Sequence, residues 1–446
     1  MLKPLAVRLL QGSTPSMAEP DDLRYRFIMT CMPTRRLLAT ALVGLLALPA
    51  AATPLSLEDA FTRLREGSPD LRLADNALEA ANADLDIAGQ RPNPVLSLST
   101  TRINPSGGNG GPFFQRSYDS VAAWTQPIER GGKRDLRQQV AKAGIQAAGA
   151  DRAGIWRDLL IATDGAWHDL AVAQETVRIS DENAQLYRRT LEAAELRLKA
   201  GDIAASDVAR LRVEAVRSGN DARNARAAWL QARQALARLL GSQTDPGSLE
   251  ALTGWPGGDS LPQAPDFAAL AEQQADVQAA RYRLDRAGKA VLLAQALRSN
   301  DVALTFQVER EPMTDKPDSF GVGISVPIMI GNTYAGDIRR AQADRSAAET
   351  QLQTLRLQTQ RRLESEWEVL SAAHDVLINA RGQMLANAKQ AADSAEYAYQ
   401  RGATSLVSLL DARRSLRAAS LDVLAAQANF SRHRVLWDLL TTPREI

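Results

Sequence analysis

The sequence predicts a mainly α-helical tandem repeat with four short strands per chain, patterned for a membrane β-barrel. Three observations predict it. Segments 200 residues apart repeat one another: "TQPI" at 125–128 returns as "SVPI" at 325–328, and the same register carries Ala141, Ala143, Ala147, Ala148 and Trp167 onto Ala341, Ala343, Ala347, Ala348 and Trp367. No proline occurs between Pro127 and Pro246 or between Pro327 and Pro443. Proline costs about 3 kcal/mol inside a helix, so such gaps mark long uninterrupted helices. Third, "DVALTFQVER" (301–310) alternates strictly, with Val302, Leu304, Phe306 and Val308 on one face and Ala303, Thr305, Gln307 and Glu309 on the other.

At the start, residues 1–31 carry no export character and are expected to be a disordered leader or to precede the true start at Met29 or Met32. Residues 32–52, "MPTRRLLATALVGLLALPAAA", join a basic start to an apolar run and a small-residue end, the pattern of a secretory signal peptide. The apolar run 37–48 is well short of the roughly 20 residues that span a bilayer, and the mature chain is expected to begin near Thr53. Cys31, the single cysteine, lies upstream of that run, so neither a disulfide nor a thiolate ligand is expected.

Each repeat then reads helix, strand, strand, very long helix, helix. Repeat 1 (53–240) has helix 57–89, strands 95–102 and 118–128, and helices 133–200 and 203–240. A linker rich in Gly and Pro follows at 241–265. Repeat 2 (266–446) has helix 267–299, strands 302–310 and 320–329, and helices 332–401 and 405–440. "ELRLKAGDIAASDVARLR" from Glu195 matches "EYAYQRGATSLVSLLDAR" from Glu396 at an offset of 201, and "RPNPVLSLS" from Arg91 matches "RSNDVALTF" from Arg298 at 207. The longest helices reach about 100 Å at 1.5 Å per residue, and each is matched by two shorter ones end to end. Helices this long need partners along their whole length, as in coiled coils.

The fourth strand carries Phe320, Val322, Ile324, Val326 and Ile328 on one face and Gly321, Gly323, Ser325 and Pro327 on the other. Strands of about 9–11 residues tilted near 45° span a bilayer, apolar face to lipid and polar face to the lumen. The smallest such barrels have 8 strands, and open edges are not tolerated in hydrocarbon, so four strands require several copies of the chain. A dimer supplies 8 and a trimer 12. The loops "INPSGGNGGPFFQRS" and "EPMTDKPD" are polar and fit outside the membrane.

Formal net charge is +1, with Lys and Arg interleaved among Asp and Glu, so nothing points to nucleic acid. "RGGKRD" fails the phosphate-loop spacing, because Pro127 stands at its first glycine and Arg134 replaces Ser or Thr. Lys133 and Arg134 fit a membrane-proximal helix start or ion pairs. His168, His374 and His433 lie on separate helices without ligand spacing and read as surface or packing residues. Trp167 and Trp367 read as packing anchors. No cofactor, metal site or catalytic cluster is expected, and enzyme chemistry is not.

In its duplication, strand pairs, split helices and the motifs "RLKAGDIAASDV" and "YQRGATSLVSLLDARRSL", essentially the whole mature chain resembles the TolC-like outer-membrane channels of Gram-negative efflux and secretion systems. "QPIERGGKRDLR" (126–137) is similar to the cation-efflux, CzcC-type branch. The resemblance implies a homotrimer in the outer membrane, with a 12-stranded barrel and a periplasmic tunnel of 12 helices. It further implies docking on a periplasmic adaptor (membrane fusion) protein and an inner-membrane RND-type transporter. Carried over by position, Gly201 and Gly402 turn the chain at the periplasmic tip, and Asp411 matches a family aspartate at the pore constriction. The acidic position before it is Ser408 in repeat 2, whose counterpart in repeat 1 is Asp207. This departure leaves the charge of the gate open. Glycine suits a left-handed turn, and a carboxylate repeated about a three-fold axis favours cations. Asp207 near a helix start also suits the helix dipole, and Asp411 is placed to pair with Arg414. The lipid-facing set is Val302, Leu304, Phe306 and Val308, with Thr305, Gln307 and Glu309 toward the lumen. A heavy-metal cargo is the first reading and drug efflux or type I secretion an alternative. A non-channel periplasmic coiled-coil scaffold or adaptor is the reading of a different class.

Overall fold

Long stretches of Ala, Leu, Arg, Gln and Glu favour helix, and a computed structural model describes them as such within residues 54–101, 119–241, 244–252, 254–255, 260–311, 315–442 and 444. The expected leader 1–31, signal segment 32–52 and most of the loop after the first strand lie outside the described residues.

Repeat 1 comprises β1 (Pro54–Leu55), α1 (Leu57–Gly67), α2 (Pro69–Gly89), β2 (Val95–Thr101), β3 (Asp119–Ile128), α3 (Lys133–Lys199) and α4 (Ala205–Leu240). After β4 (Glu250–Ala251), repeat 2 follows with α5 (Phe267–Gln273), α6 (Ala275–Ala296), β5 (Val302–Arg310), β6 (Asp318–Ser325) and α7 (Ala335–Asn379). A π-helical turn Ala380–Met384, α8 (Leu385–Gln400) and α9 (Leu406–Thr441) complete it. At 67 residues α3 runs about 100 Å.

Four details differ from the sequence reading. The helix expected over 57–89 breaks at Ser68, whose hydroxyl accepts the amide of Leu71 at 3.3 Å while Pro69 opens the next helix. Its counterpart over 267–299 breaks at Gln274, whose amide donates to the Leu440 carbonyl at 2.7 Å. Each break abuts the end of the last helix of its own repeat, for a Cβ on Gly67 would lie 2.2 Å from the Leu240 carbonyl oxygen. The helix expected over 332–401 is interrupted by the π turn. Such a turn accommodates one extra residue, and the repeat offset grows from 200 at Trp167 and Trp367 to 201 at Gly201 and Gly402. Finally, β6 stops at Ser325 instead of 329. Pro327 has no N–H to donate, and among the described residues β6 has a neighbour on one side only, whereas β3 keeps Pro127 because β5 holds it through Ala303.

The strands form one antiparallel sheet in the order β2-β3-β5-β6. Helices α2, α3, α6 and α7 pack in the same succession, so strand order and helix order agree. Further along, α3 packs on α4 and α9, and α8 on α9. A core under the helix breaks gathers Leu55, Phe61, Leu64, Trp156, Leu160, Trp167 and Leu236, with the Trp167 indole donating to the Leu55 carbonyl at 2.9 Å. Its second-repeat counterpart gathers Leu363, Leu370, Leu377, Phe430 and Trp437, on which Trp367 packs at 5.2 Å between ring centroids. His168 is fully buried between α3 and α9. Its Nε2 lies 3.0 Å from the Ser431 hydroxyl, and its Nδ1 lies 3.0 Å from both the Asp164 backbone carbonyl and a carboxylate oxygen of Asp164. Burial pushes the Asp164 carboxyl above its ordinary range.

Candidate functional site

The two turns that join α3 to α4 and α8 to α9 are built alike. Gly201 has φ +83° and Gly402 φ +72°, a backbone region that favours glycine. At each turn the amide that follows the glycine reaches back five residues, Asp202 to the Arg197 carbonyl at 2.9 Å and Ala403 to the Ala398 carbonyl at 2.8 Å, closing the helix end. Beneath them, Tyr187, Ala194, Val208, Leu211, Leu406 and Leu410 pack the two hairpins together.

Around this cluster the structure separates the expected acidic positions. Asp207 is half-buried in the first turn of α4, where a carboxylate favours the helix dipole. Ser408 is exposed and occupied in capping α9, its amide donating to the Ser405 hydroxyl at 3.2 Å. Asp411 is exposed and pairs with Arg414 at 3.0 Å. Sequence reasoning missed what ties the hairpins to each other. Arg414 also reaches Glu214 on α4 at 2.6 Å, Arg417 reaches Asp221 on α4 at 2.6 Å, and Arg413 donates to the Thr190 hydroxyl on α3 at 3.0 Å. Arg413 also contacts Glu396 of its own hairpin at 3.1 Å. The hydrogen bond that Arg414 donates to Glu214 raises the affinity of its guanidinium for the proton. A signal existed, because Glu214 falls on the buried stripe of Leu211, Ser218 and Ala222, and Arg413 on that of Leu406, Leu409 and Leu410. Charges on a coiled-coil seam select partners.

At the sheet, register places Phe306 opposite Trp124 and Val322, Leu304 opposite Gln126 and Ile324, and Val308 opposite Ala122 and Phe320. Cross-strand partners share a face, so the apolar stripes of both repeats merge into one. Phe306 is 49% exposed, Phe320 84% and Val322 75%, an apolar surface that a water-soluble sheet would bury. Val302 and Leu304 are partly covered. The opposite face carries Thr125 and Thr305, whose hydroxyls meet at 3.1 Å, and Gln307, which lies over Gly321 where a Cβ would come within 2.8 Å of it.

Residues 61–242 and 268–435 match the family model for outer membrane efflux proteins, which spans well over half of the chain and both repeats. The chain belongs to the outer membrane efflux protein family. It is an outer-membrane efflux channel. It is 26% identical over 379 residues to the cobalt-zinc-cadmium resistance protein CzcC of Cupriavidus metallidurans, covering 84% of this chain and 87% of that one. In fold it is similar to the outer membrane protein VceC of Vibrio cholerae (TM-score 0.70, 20% identity, 86% of this chain and 96% of that one). It is also similar to the MtrE outer membrane channel of Neisseria gonorrhoeae in its open state (TM-score 0.72, 18% identity, 86% and 88%).

Proposed function

We propose that three copies of this chain close a 12-stranded barrel and form a passive exit duct for heavy-metal cations, delivered by an inner-membrane RND-type pump through a periplasmic adaptor. The likeness to CzcC over most of both chains carries the choice of cargo. Closure is supported by the sheet itself, because β2 and β6 each keep one edge unpaired among the described residues and bare edges are not tolerated in hydrocarbon. Val302, Leu304, Phe306 and Val308 then face lipid, and Thr305, Gln307 and Glu309 face the water-filled lumen. The chain works as a duct, not as an enzyme, and its selectivity at the aqueous end lies in the turns.

In this reading the turns at Gly201 and Gly402 form the periplasmic tip, and Asp207 and Asp411 bring carboxylates toward the narrow point while Ser408 brings none. Hairpin α8/α9, tied to α3/α4 through Arg413, Arg414 and Arg417, sets the aperture. Loss-of-function strains are expected to become sensitive to Co²⁺, Zn²⁺ or Cd²⁺ while their drug sensitivity stays unchanged. Sensitivity to drugs alone would replace the cargo and keep the duct. A protein recovered soluble after lysis, with no detergent-stable trimer, would overturn the channel in favour of a periplasmic scaffold. Asp411→Asn is expected to lower cation selectivity of single channels in planar bilayers, and unchanged selectivity would remove Asp411 from the gate.

A further inference from the structure

The base of the sheet, where strands pass into helices, carries opposite chemistry in the two repeats. In repeat 1 the ends of α2 and β3 and the start of α3 enclose a cleft of about 720 Å³, lined among others by Arg91, Gln126, Ile128, Glu129, Lys133 and Arg134. Two of its charges are neutralised inside the protein. Lys133 is buried and bonded to Asp301 at 2.7 Å, and Glu129 pairs with Arg137. Arg134 spends only its Nε, on the Gly89 carbonyl at 2.6 Å, and its two terminal nitrogens have no acidic partner among the described residues. Arg91, and Arg130 beside the cleft, have no ion pair among the described residues either, and both are exposed. Two guanidiniums of the lining, Arg91 and Arg134, with Arg130 just outside it, therefore stand against one carboxylate, Asp135, that has no ion pair among the described residues.

The equivalent place in repeat 2 has lost most of this charge. At the offset of 200, Met329 and Ile330 stand for Glu129 and Arg130, and Thr333 and Tyr334 for Lys133 and Arg134. Ile328 and Ile330 are 81% and 87% exposed. Fold alone does not require arginines at positions 130 and 134, since the second junction forms with Ile330 and Tyr334 there and keeps only Arg298, the counterpart of Arg91, whose Nε donates to the Thr333 carbonyl at 3.4 Å. The cleft also has a direction. Gln126 and Ile128, which line it, stand opposite Leu304 and Val302 in the register, on the face that carries Trp124 and Phe306. It thus adjoins the apolar face of the sheet through these two residues, while Pro127, also in its lining, stands opposite Ala303 on the Thr and Gln face.

We propose that this cleft binds the phosphate of an anionic glycerophospholipid in the leaflet bordering the periplasm, with Arg91, Arg130 and Arg134 around the headgroup and the acyl chains along the face that carries Trp124 and Phe306. Guanidinium presents paired donors that match a phosphate, and cationic side chains at a leaflet surface gain from anionic lipid. The site rests on the outer-membrane reading and adds to it a lipid preference located in repeat 1 alone.

The test is native mass spectrometry of the full-length protein, purified in mild detergent and titrated with phosphatidylglycerol or phosphatidylcholine. Wild type is expected to retain phosphatidylglycerol, and Arg91→Gln/Arg130→Gln/Arg134→Gln to retain it at least about tenfold more weakly, with phosphatidylcholine unaffected and the all-lysine triple variant intermediate. Equal retention by wild type and the glutamine variant overturns the site, as does an equal fall for both lipids. If the triple variant does not assemble, Arg91→Gln/Arg130→Gln, which removes no side-chain bond among the described residues, is read by the same criterion. A wild type that forms no detergent-stable oligomer fails the channel reading itself. A stable oligomer indifferent to headgroup fails only the lipid site.

Discussion

Replacing Arg414 by Ala tests whether charge holds the two hairpins together at the tip. Two unit charges 4 Å apart attract by about 4 kcal/mol at an effective dielectric of 20. Desolvation and side-chain ordering remove most of that, and exposed pairs retain about 0–1 kcal/mol. Glu214 and Arg414 stand between the exposed and buried limits, with side chains 9% and 49% exposed. Truncating the arginine leaves a buried carboxylate whose remaining ion pair among the described residues is with Arg217, at 3.5 Å. About 2 kcal/mol is expected, less than the roughly 3–5 kcal/mol of a fully buried pair. Glu214→Gln instead leaves a half-exposed guanidinium that water solvates and that still holds Asp411, so about 1 kcal/mol is expected. The assay is amide hydrogen exchange over residues 405–421 in the reconstituted protein, read as a double-mutant cycle. Protection is expected to fall about 30-fold in R414A and about fivefold in E214Q, and the double variant is expected to lose less than the sum. Additive losses, or protection unchanged in R414A, would refute a charge link between the hairpins.

Further outcomes follow from the turns, the sheet and the strand-to-helix junction. Gly402→Val is expected to cost about 1–2 kcal/mol, and Gly402→Asn much less, because nothing lies within 4 Å of an added Cβ and the penalty is one of backbone alone; thermal melts of the two variants compare them. Phe306→Arg is expected to cost about 2–4 kcal/mol in the bilayer, while Thr305→Arg on the opposite face narrows the pore and leaves assembly intact; trimer yield on semi-native gels and single-channel conductance separate the two effects. Arg137 holds the Glu129 carboxyl below the usual carboxylate range. Its contribution to stability is therefore present in full above the ordinary glutamate pKa of about 4.3 and is lost as pH falls through the lowered value. In Glu129→Gln, melting temperature is expected to be lower at neutral pH and to fall less than that of wild type on acidification.

Much of this fold is legible in the chain, because its signals are long-range repetitions of simple local rules. Proline exclusion over entire helices, and period-two alternation at 302–310, survive any tertiary context, and β5 begins and ends where alternation places it. The break at Ser68 was also written locally, as a capping serine followed by proline. Gln274 carries no such signal, for its break depends on a carbonyl 166 residues away. The π turn was visible only as a change of offset between repeats, which says that one residue is extra without saying where the helix absorbs it. At the tip, glycine positions could be placed because positive φ limits which residues suit them. The pair of Asp411 with Arg414, one turn apart, could be placed as well, but which carboxylates on other helices the arginines of α9 meet could not, because 53 cationic and 52 acidic side chains offer many pairings and only packing selects among them. His168 is the clearest instance, a histidine with an unremarkable sequence neighbourhood that joins helices from the two repeats.

The outer edges of β2 and β6, unpaired among the described residues, have a genetic consequence. A chain whose β6 edge is damaged still offers an intact β2 edge, so in the proposed trimer it is recruited and leaves the ring unsealed. When damaged and normal copies are expressed equally, only about one ring in eight contains three normal chains. Lesions at a strand edge are therefore expected to be dominant over the normal allele, whereas lesions that unfold the whole chain before assembly are expected to be recessive.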